Sequence, residues 1–453
     1  MKTDIESLEA QLNDLDAASR AGALSALLTL TGTGEIALPA PADVVNMHAH
    51  TFYSYNGYGY SPTALAWLAR RQGFSAIGIV DFDVLDGVDE FLAAADAVGM
   101  RGTAGMETRA YVPEFATRVI NSPGEPGITY HMGVGFTSAA VPAGGIEARR
   151  ILDTMRTRAA ERNRGVVERV NALLDPVAID YERDVLPLTP SGNATERHMC
   201  VAYVRAAAET VPDPARFWAA KLGVPQAQVA TAIDDGPSMQ NLVRSKTMKR
   251  GGVGYVQPGP DTFPSVEEVH TVIEACGALP TITWLDGTSE GEQAAEELFG
   301  LLIGKGAVAL NIVPDRNWNI KDPADKAVKL QNLYDVVDLA RSLDLPINVG
   351  TEMNAYGKPL IDQFDAPELA PVRDAFLDGA YFAVGHTALQ RAAGLGYQSP
   401  WAKANFAGRA AANAFYTRAG RAIPPGAAGL AAVRGIGPNP DPTDIISMSS
   451  RRT

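Results

Sequence analysis

Two histidines one residue apart, His48 and His50, end the apolar run Val44-Val45-Asn46-Met47. Side chains alternate along a strand, so both imidazoles point to one side of it. Two imidazoles projecting together from a strand end are first ligands for Zn²⁺ or Mn²⁺. The competing reading is one structural and one surface histidine. The chain has six histidines, and two of them at one strand end favour the metal. Other candidates also follow short apolar runs: Asp81 after Ala76 to Val80, Glu107 after Arg101 to Met106, and His131 after Ile128 to Tyr130. Asp286 follows Thr281 to Leu285, and Glu352 and Asn354 follow Pro346 to Gly350. A single acid after a strand is also the ordinary N-cap of the next helix, the competing reading for Asp81.

Two guanidiniums lie near these positions. Arg109 is two residues past Glu107, and Arg316 sits in the polar run Pro314 to Asn319. Guanidinium forks match phosphate and carboxylate, which makes Arg109 and Arg316 candidate substrate clamps. A weak surface ion pair is the competing reading for Arg316. Lys246, Lys249 and Arg250 read as a solvated charge run, and His198 and His270 read as structural. His386, after Val384-Gly385, reads as a ligand or a supporting group.

The elements that must carry these residues alternate. Pro62 to Gln72 reads as a helix, with Pro near its start and Gly73 past its end. Ala76 to Val80 reads as a buried strand, Asp86 to Val98 as a helix and Arg101 to Met106 as a strand. The rhythm resumes with Val266 to Ala275 (helix), Leu279 to Thr283 (strand), Gln293 to Ile303 (helix) and Val308 to Val313 (strand). Asp325 to Leu343 (helix) and Pro346 to Val349 (strand) follow, and Asp374 to Val384 is expected to close the set. This is the βαβ rhythm of a parallel sheet or barrel, whose functional groups gather at the C-terminal rim. Residues 41–143 and 266–390 form the expected α/β barrel. An amphipathic helical segment (1–40) precedes it, and a helical insertion (144–265) is expected to cover one of its faces. A C-terminal extension (391–453), Gly- and Pro-rich from Pro424, is expected to be loosely attached.

Composition narrows the classes. Of 453 residues, 39 are Lys or Arg and 52 Asp or Glu, giving a net charge of −13. That sign argues against a nucleic-acid surface, which needs clustered cations. A small anionic substrate remains compatible, because a local cationic pocket can hold it. Cys200 and Cys276 provide no disulfide framework, and the N-terminus is acidic where a secretory signal is basic. No apolar run reaches membrane-spanning length. The expectation is a cytoplasmic enzyme with a small-molecule substrate, no nucleic-acid or membrane partner, and a composition compatible with a homo-oligomer.

The run Asn46-Met47-His48-Ala49-His50-Thr51, with Ser54 nearby, resembles the first motif of the PHP (polymerase and histidinol phosphatase) domain family. Gly73 to Asp83, with Gly87 beyond, resembles its second motif. Gly105-Met106-Glu107 resembles the third, and Tyr130-His131-Met132-Gly133 its next histidine ligand. The likeness covers Val44 to Phe136 well and Val266 to Gly357 loosely. It implies a distorted TIM-like barrel, up to three metals, phosphoester chemistry, and Glu107 as a bridging carboxylate. Three departures reduce the ligand set. Asp81-Phe82 replaces an Asp-His, Leu285-Asp286 stands where a His-Pro lies, and Glu352-Met353-Asn354 replaces an Asp-x-His. The resemblance with these changes leaves one or two divalent ions, held among His48, His50, Glu107, His131, Asp286, Glu352 and Asn354. Manganese or zinc leads; iron and magnesium follow, because carboxylates favour harder ions. The activity expected is metal-dependent hydrolysis of a small polar anion, a phosphoester first. The alternatives are an isomerase or lyase acting on a sugar-like metabolite, and a non-catalytic ligand-binding barrel.

Overall fold

The computed structural model describes residues 2–437 and 439–450. Seven strands make one sheet in chain order. They are β1 (Val45–Ala49), β2 (Ala76–Phe82), β3 (Gly102–Tyr111), β4 (Ile128–Val134), β5 (Leu279–Trp284), β6 (Ala309–Ile312) and β7 (Ile347–Val349). Pairings are parallel except at β4, which is antiparallel to both β3 and β5. A parallel pair needs a long crossover, and between β3 and β4 there is only the 3₁₀ turn Pro113–Phe115. There the Val112 N–H donates to the Gly127 carbonyl at 2.8 Å and folds the chain back. The expected parallel rhythm therefore holds on both sides of β4 and fails at it.

The end of β7 returns to β1. The Glu352 N–H donates to the His48 carbonyl and the His50 N–H to the Glu352 carbonyl, each at 2.8 Å. This parallel bridge between Ala49 and Glu352 closes the sheet into a barrel-like ring. Gly350 permits the approach, because a Cβ there would stand 2.4 Å from the His48 nitrogen.

The flanking helices follow the sequence signals. Pro62–Arg71 starts with Pro62, is capped by Ser61, and buries Leu65, Trp67 and Ala69. Val266–Ala275 opens with a capping box of Ser265 and Glu268. Each large apolar side chain buried on such a face contributes roughly 1.5–3 kcal/mol. Among the described residues no helix is long and apolar enough to cross a membrane. Cys200 and Cys276 are buried and unbridged.

Asp374 to Val384, expected to close the set, lies in the helix Arg373–Ala393. Gly379 of that helix lies against β7, where a Cβ would meet the Ile347 carbonyl oxygen at 1.8 Å. One expectation is corrected: the tail is not loosely attached. It forms helices Gly426–Arg434 and Pro442–Ser450, and Val433 and Ile445 share a buried cluster with Leu389 and Tyr416. The last three residues, 451–453, lie outside the described residues.

The chain divides into two compact units, the second comprising Phe52–Tyr55 and Asp153–Phe263. This unit is helical, and its own core joins Val170, Leu174, Met199, Tyr203, Trp218 and Val243.

Candidate metal centre

β1 ends by turning His48 and His50 to the same side, and β3 contributes Glu107 to the same place. His48 Nε2 lies 3.4 Å from His50 Nε2, and the Glu107 carboxylate is 3.3 Å from His50 Nε2 and 3.8 Å from His48 Nε2. All three side chains are buried. Donors at about 2.1 Å from one tetrahedral ion stand about 3.4 Å apart, so two of the three separations match a shared ion closely. Three protein donors is also the usual number in catalytic zinc sites. Among the described residues this is the group of histidine, cysteine and carboxylate side chains with metal-ligand spacing.

The electrostatics agree with that donor set. Burial alone would push the Glu107 carboxyl up, but His48 and His50 hold it well below the usual carboxylate range. Burial disfavours a charged His50, yet Glu107, helped by Asp81 and Glu352, outweighs it and raises the imidazole's basicity. The pocket is built to hold compensated charge.

Polar groups fix the two imidazoles. His48 Nδ1 lies 3.3 Å from Asn311 Oδ1, which also accepts from Asn348 Nδ2 at 2.9 Å. Asn311 and Asn348 are register partners, so they share one face of the sheet. After His50, Thr51 donates its N–H and its hydroxyl to the two Asp81 oxygens at 2.8 and 2.6 Å. Asn56 Nδ2 donates to the His50 carbonyl.

The other expected residues divide. Glu352 is close enough for Glu107 and His48 to influence its carboxyl, and burial raises it while Arg316 and Lys358 pull it below its ordinary value. Arg316 Nη2 reaches both Glu352 oxygens, at 3.1 and 3.2 Å. Asp81 is buried beside the centre as the anchor of Thr51. Arg109 pairs with Glu125 at 3.0 Å.

His131 is not brought to the cluster: its register partners are Thr108 and Ile282, one step off Glu107. Its Nε2 instead meets His270 Nε2 at 2.8 Å, and His270 Nδ1 donates to the Lys305 carbonyl. Burial, then the neighbouring His270, holds the His131 imidazole far below its ordinary basicity. Asp286 is tied to Lys329 at 2.9 Å, while Asn354, past β7, is partly exposed. His386 lies in helix Arg373–Ala393, where its Nδ1 accepts from the Tyr397 N–H.

Sequence reasoning missed Asn311, Asn348, Lys358 and Asn46, whose Oδ1 accepts from the His48 N–H at 3.1 Å and whose Nδ2 donates to the Thr351 hydroxyl at 2.8 Å. For the three asparagines there was a signal: each interrupts an apolar strand (Ala-Leu-Asn-Ile, Ile-Asn-Val, Val-Asn-Met) where burial demands a partner. Lys358 follows Glu352 in a loop and left no such mark.

Fold and site together define an α/β protein with a sheet closed on itself and a buried His-His-Glu group, its histidines at the C-terminal end of β1 and its glutamate on β3. No protein-family model matches the sequence, and no curated protein does. Two solved structures are similar in shape. One is an amidohydrolase from Chromobacterium violaceum with bound sulfate and no metal, at 16% identity and a TM-score of 0.48, covering 73% of this chain and 96% of that one. The other is a protein assigned as a metal-dependent phosphoesterase from Bifidobacterium adolescentis, at 19% identity and a TM-score of 0.46, covering 75% and 98%. A fold hosts many chemistries, so the functional reading rests on the site.

Proposed function

We propose that the chain is a metal-dependent hydrolase of PHP type acting on a small anionic metabolite, with phosphoesters as the first substrate class. The observation that carries this reading is the clustering of His48 Nε2, His50 Nε2 and the Glu107 carboxylate within 4.8 Å of one another. A divalent ion held by these residues supplies Lewis acidity and a nucleophilic water at neutral pH. The protein's own groups supply the rest. Glu107 would offset part of the ion's charge, and Asn311 orients His48. Asp81 fixes the loop that leaves His50. Arg316 and Lys358 place two cations beside the cluster, which favours a phosphate or carboxylate on the substrate. Manganese and zinc both suit a donor set of two imidazoles and one carboxylate.

The test is turnover of a panel of phosphomonoesters and phosphodiesters by the protein reconstituted with Mn²⁺ or Zn²⁺. Turnover that disappears on chelation and in a His48→Ala/His50→Ala variant is expected. Metal-loaded protein that cleaves no phosphoester but opens amides or lactones would move the reading to another hydrolase class.

A further inference from the structure

Glu352 is held in an unusual way for a side chain beside a cation site. Its backbone is in the left-handed region, φ 64°, and so is that of Met353, φ 53°. Neither is glycine, so this conformation persists only because its surroundings impose it. They do so through the two hydrogen bonds that tie Glu352 between His48 and His50. Its backbone is therefore fixed to the ligand strand, while its carboxylate is turned to two cations. Arg316 Nη2 spans both oxygens, and Lys358 Nζ stands 3.7 Å from one of them. Both cations retain capacity for another anion. Arg316 Nε is buried and meets no acceptor among the described residues, although the side chain as a whole is 39% exposed. Among the described residues Lys358 makes long pairs, with Glu352 and, at 3.6 Å, with Asp315.

We propose that Glu352 is a reserve ligand released by substrate: an oxyanion taken up by Arg316 and Lys358 displaces their pairing with Glu352 and frees its carboxylate for the ion at His48, His50 and Glu107. The inference rests on the metal-centre reading above. It predicts that oxyanion and metal bind with positive coupling, which is reciprocal by linkage. A metal centre completed only when an anion is present keeps an activated water from forming on an empty enzyme.

The probes are sulfate and Mn²⁺, with Mn²⁺ affinity measured calorimetrically in sulfate and in chloride of equal ionic strength. Sulfate should tighten Mn²⁺ binding about fivefold or more, the lower end of ordinary coupling between sites. In Glu352→Gln, sulfate should bind more tightly without metal, since its competitor is gone, and should no longer change Mn²⁺ affinity. Arg316→Met and Lys358→Met each remove a cation that holds Glu352 back, so each should tighten Mn²⁺ binding in chloride and reduce what sulfate adds, and Mn²⁺ affinity in chloride unchanged in both would overturn the exchange; thermal melts of both confirm folding. Wild-type Mn²⁺ binding that sulfate leaves unchanged or weakens overturns the exchange and leaves the metal centre standing. Coupling that survives in Glu352→Gln also overturns it, because sulfate would then be acting at the ion directly. A wild type that binds no Mn²⁺ with or without sulfate overturns both readings.

Discussion

Asn311 Oδ1 lies 3.3 Å from His48 Nδ1 and is held there by the Asn348 amide, so one buried asparagine on β6 positions an imidazole on β1. With Nδ1 engaged, Nε2 is the nitrogen left to face Glu107. Outer partners of this kind typically contribute 10–100-fold to metal affinity. Asn311→Leu should therefore weaken Zn²⁺ or Mn²⁺ binding by about that factor, whereas Asn311→Asp, which still accepts from Nδ1, should largely retain it. Titration calorimetry on the two variants decides; equal affinity in wild type and Asn311→Leu would remove Asn311 from the centre.

His131 provides the contrast. The family resemblance makes it a ligand, and the structure pairs it with His270 instead. His131→Gln should leave metal stoichiometry unchanged and shift affinity by less than about twofold. Its cost should appear in stability, at about 1–3 kcal/mol for disrupting a buried hydrogen-bonded pair. Loss of the metal in this variant would place His131 back among the ligands.

These two residues also show what the sequence made legible. The His48-Ala49-His50 spacing needed only the two-residue strand period, whereas Glu107, on another strand, was joined to the pair by its place after an apolar run and by the family resemblance. His131 needed the register of β4, and β4 is reversed relative to its neighbours by a connection with no helix. Asp286 and Asn354 needed the paths of loops, which sequence period does not fix: Asp286 turns to Lys329, held there by a loop whose N–H groups converge on Glu292. The tail misled because Gly and Pro at its helix ends suggest a loosely attached segment, while Val433 and Ile445 bury in one cluster with Leu389 and Tyr416.

Thr51 should report on the Asp81 anchor. Asp81→Ala leaves the Thr51 N–H and hydroxyl without their acceptor in a buried place, at a cost of about 1–3 kcal/mol. Urea unfolding should show that loss, and metal affinity should fall as the His50 turn loosens. Thr51→Val, which removes only the hydroxyl, should cost less than Asp81→Ala. A larger loss from Thr51→Val would mean that Asp81 has another main partner.

Asp362 carries the pH dependence most open to test. It is buried, its Oδ2 has no hydrogen-bond partner among the described residues, and burial followed by the charge of Asp315 pushes its carboxyl up to about 7. A carboxyl raised on folding costs stability progressively as pH climbs from its unfolded value, 3.8, to its folded value. The cost is complete above about pH 7 and amounts to at most ~4 kcal/mol, at 1.36 kcal/mol per unit. Asp362→Asn should thus stabilise the protein more at pH 8 than at pH 5. Urea midpoints at the two pH values check this; a gain equal at both would show that Asp362 stays ionised when folded.

The central claim is that His48, His50 and Glu107 hold a divalent ion, and elemental mass analysis of the purified protein tests it most directly. Wild type, as purified or after reconstitution with Mn²⁺ or Zn²⁺, should carry roughly one equivalent of metal, and a folded His48→Ala/His50→Ala variant should carry almost none. A wild type that remains metal-free after reconstitution with both ions would contradict the account.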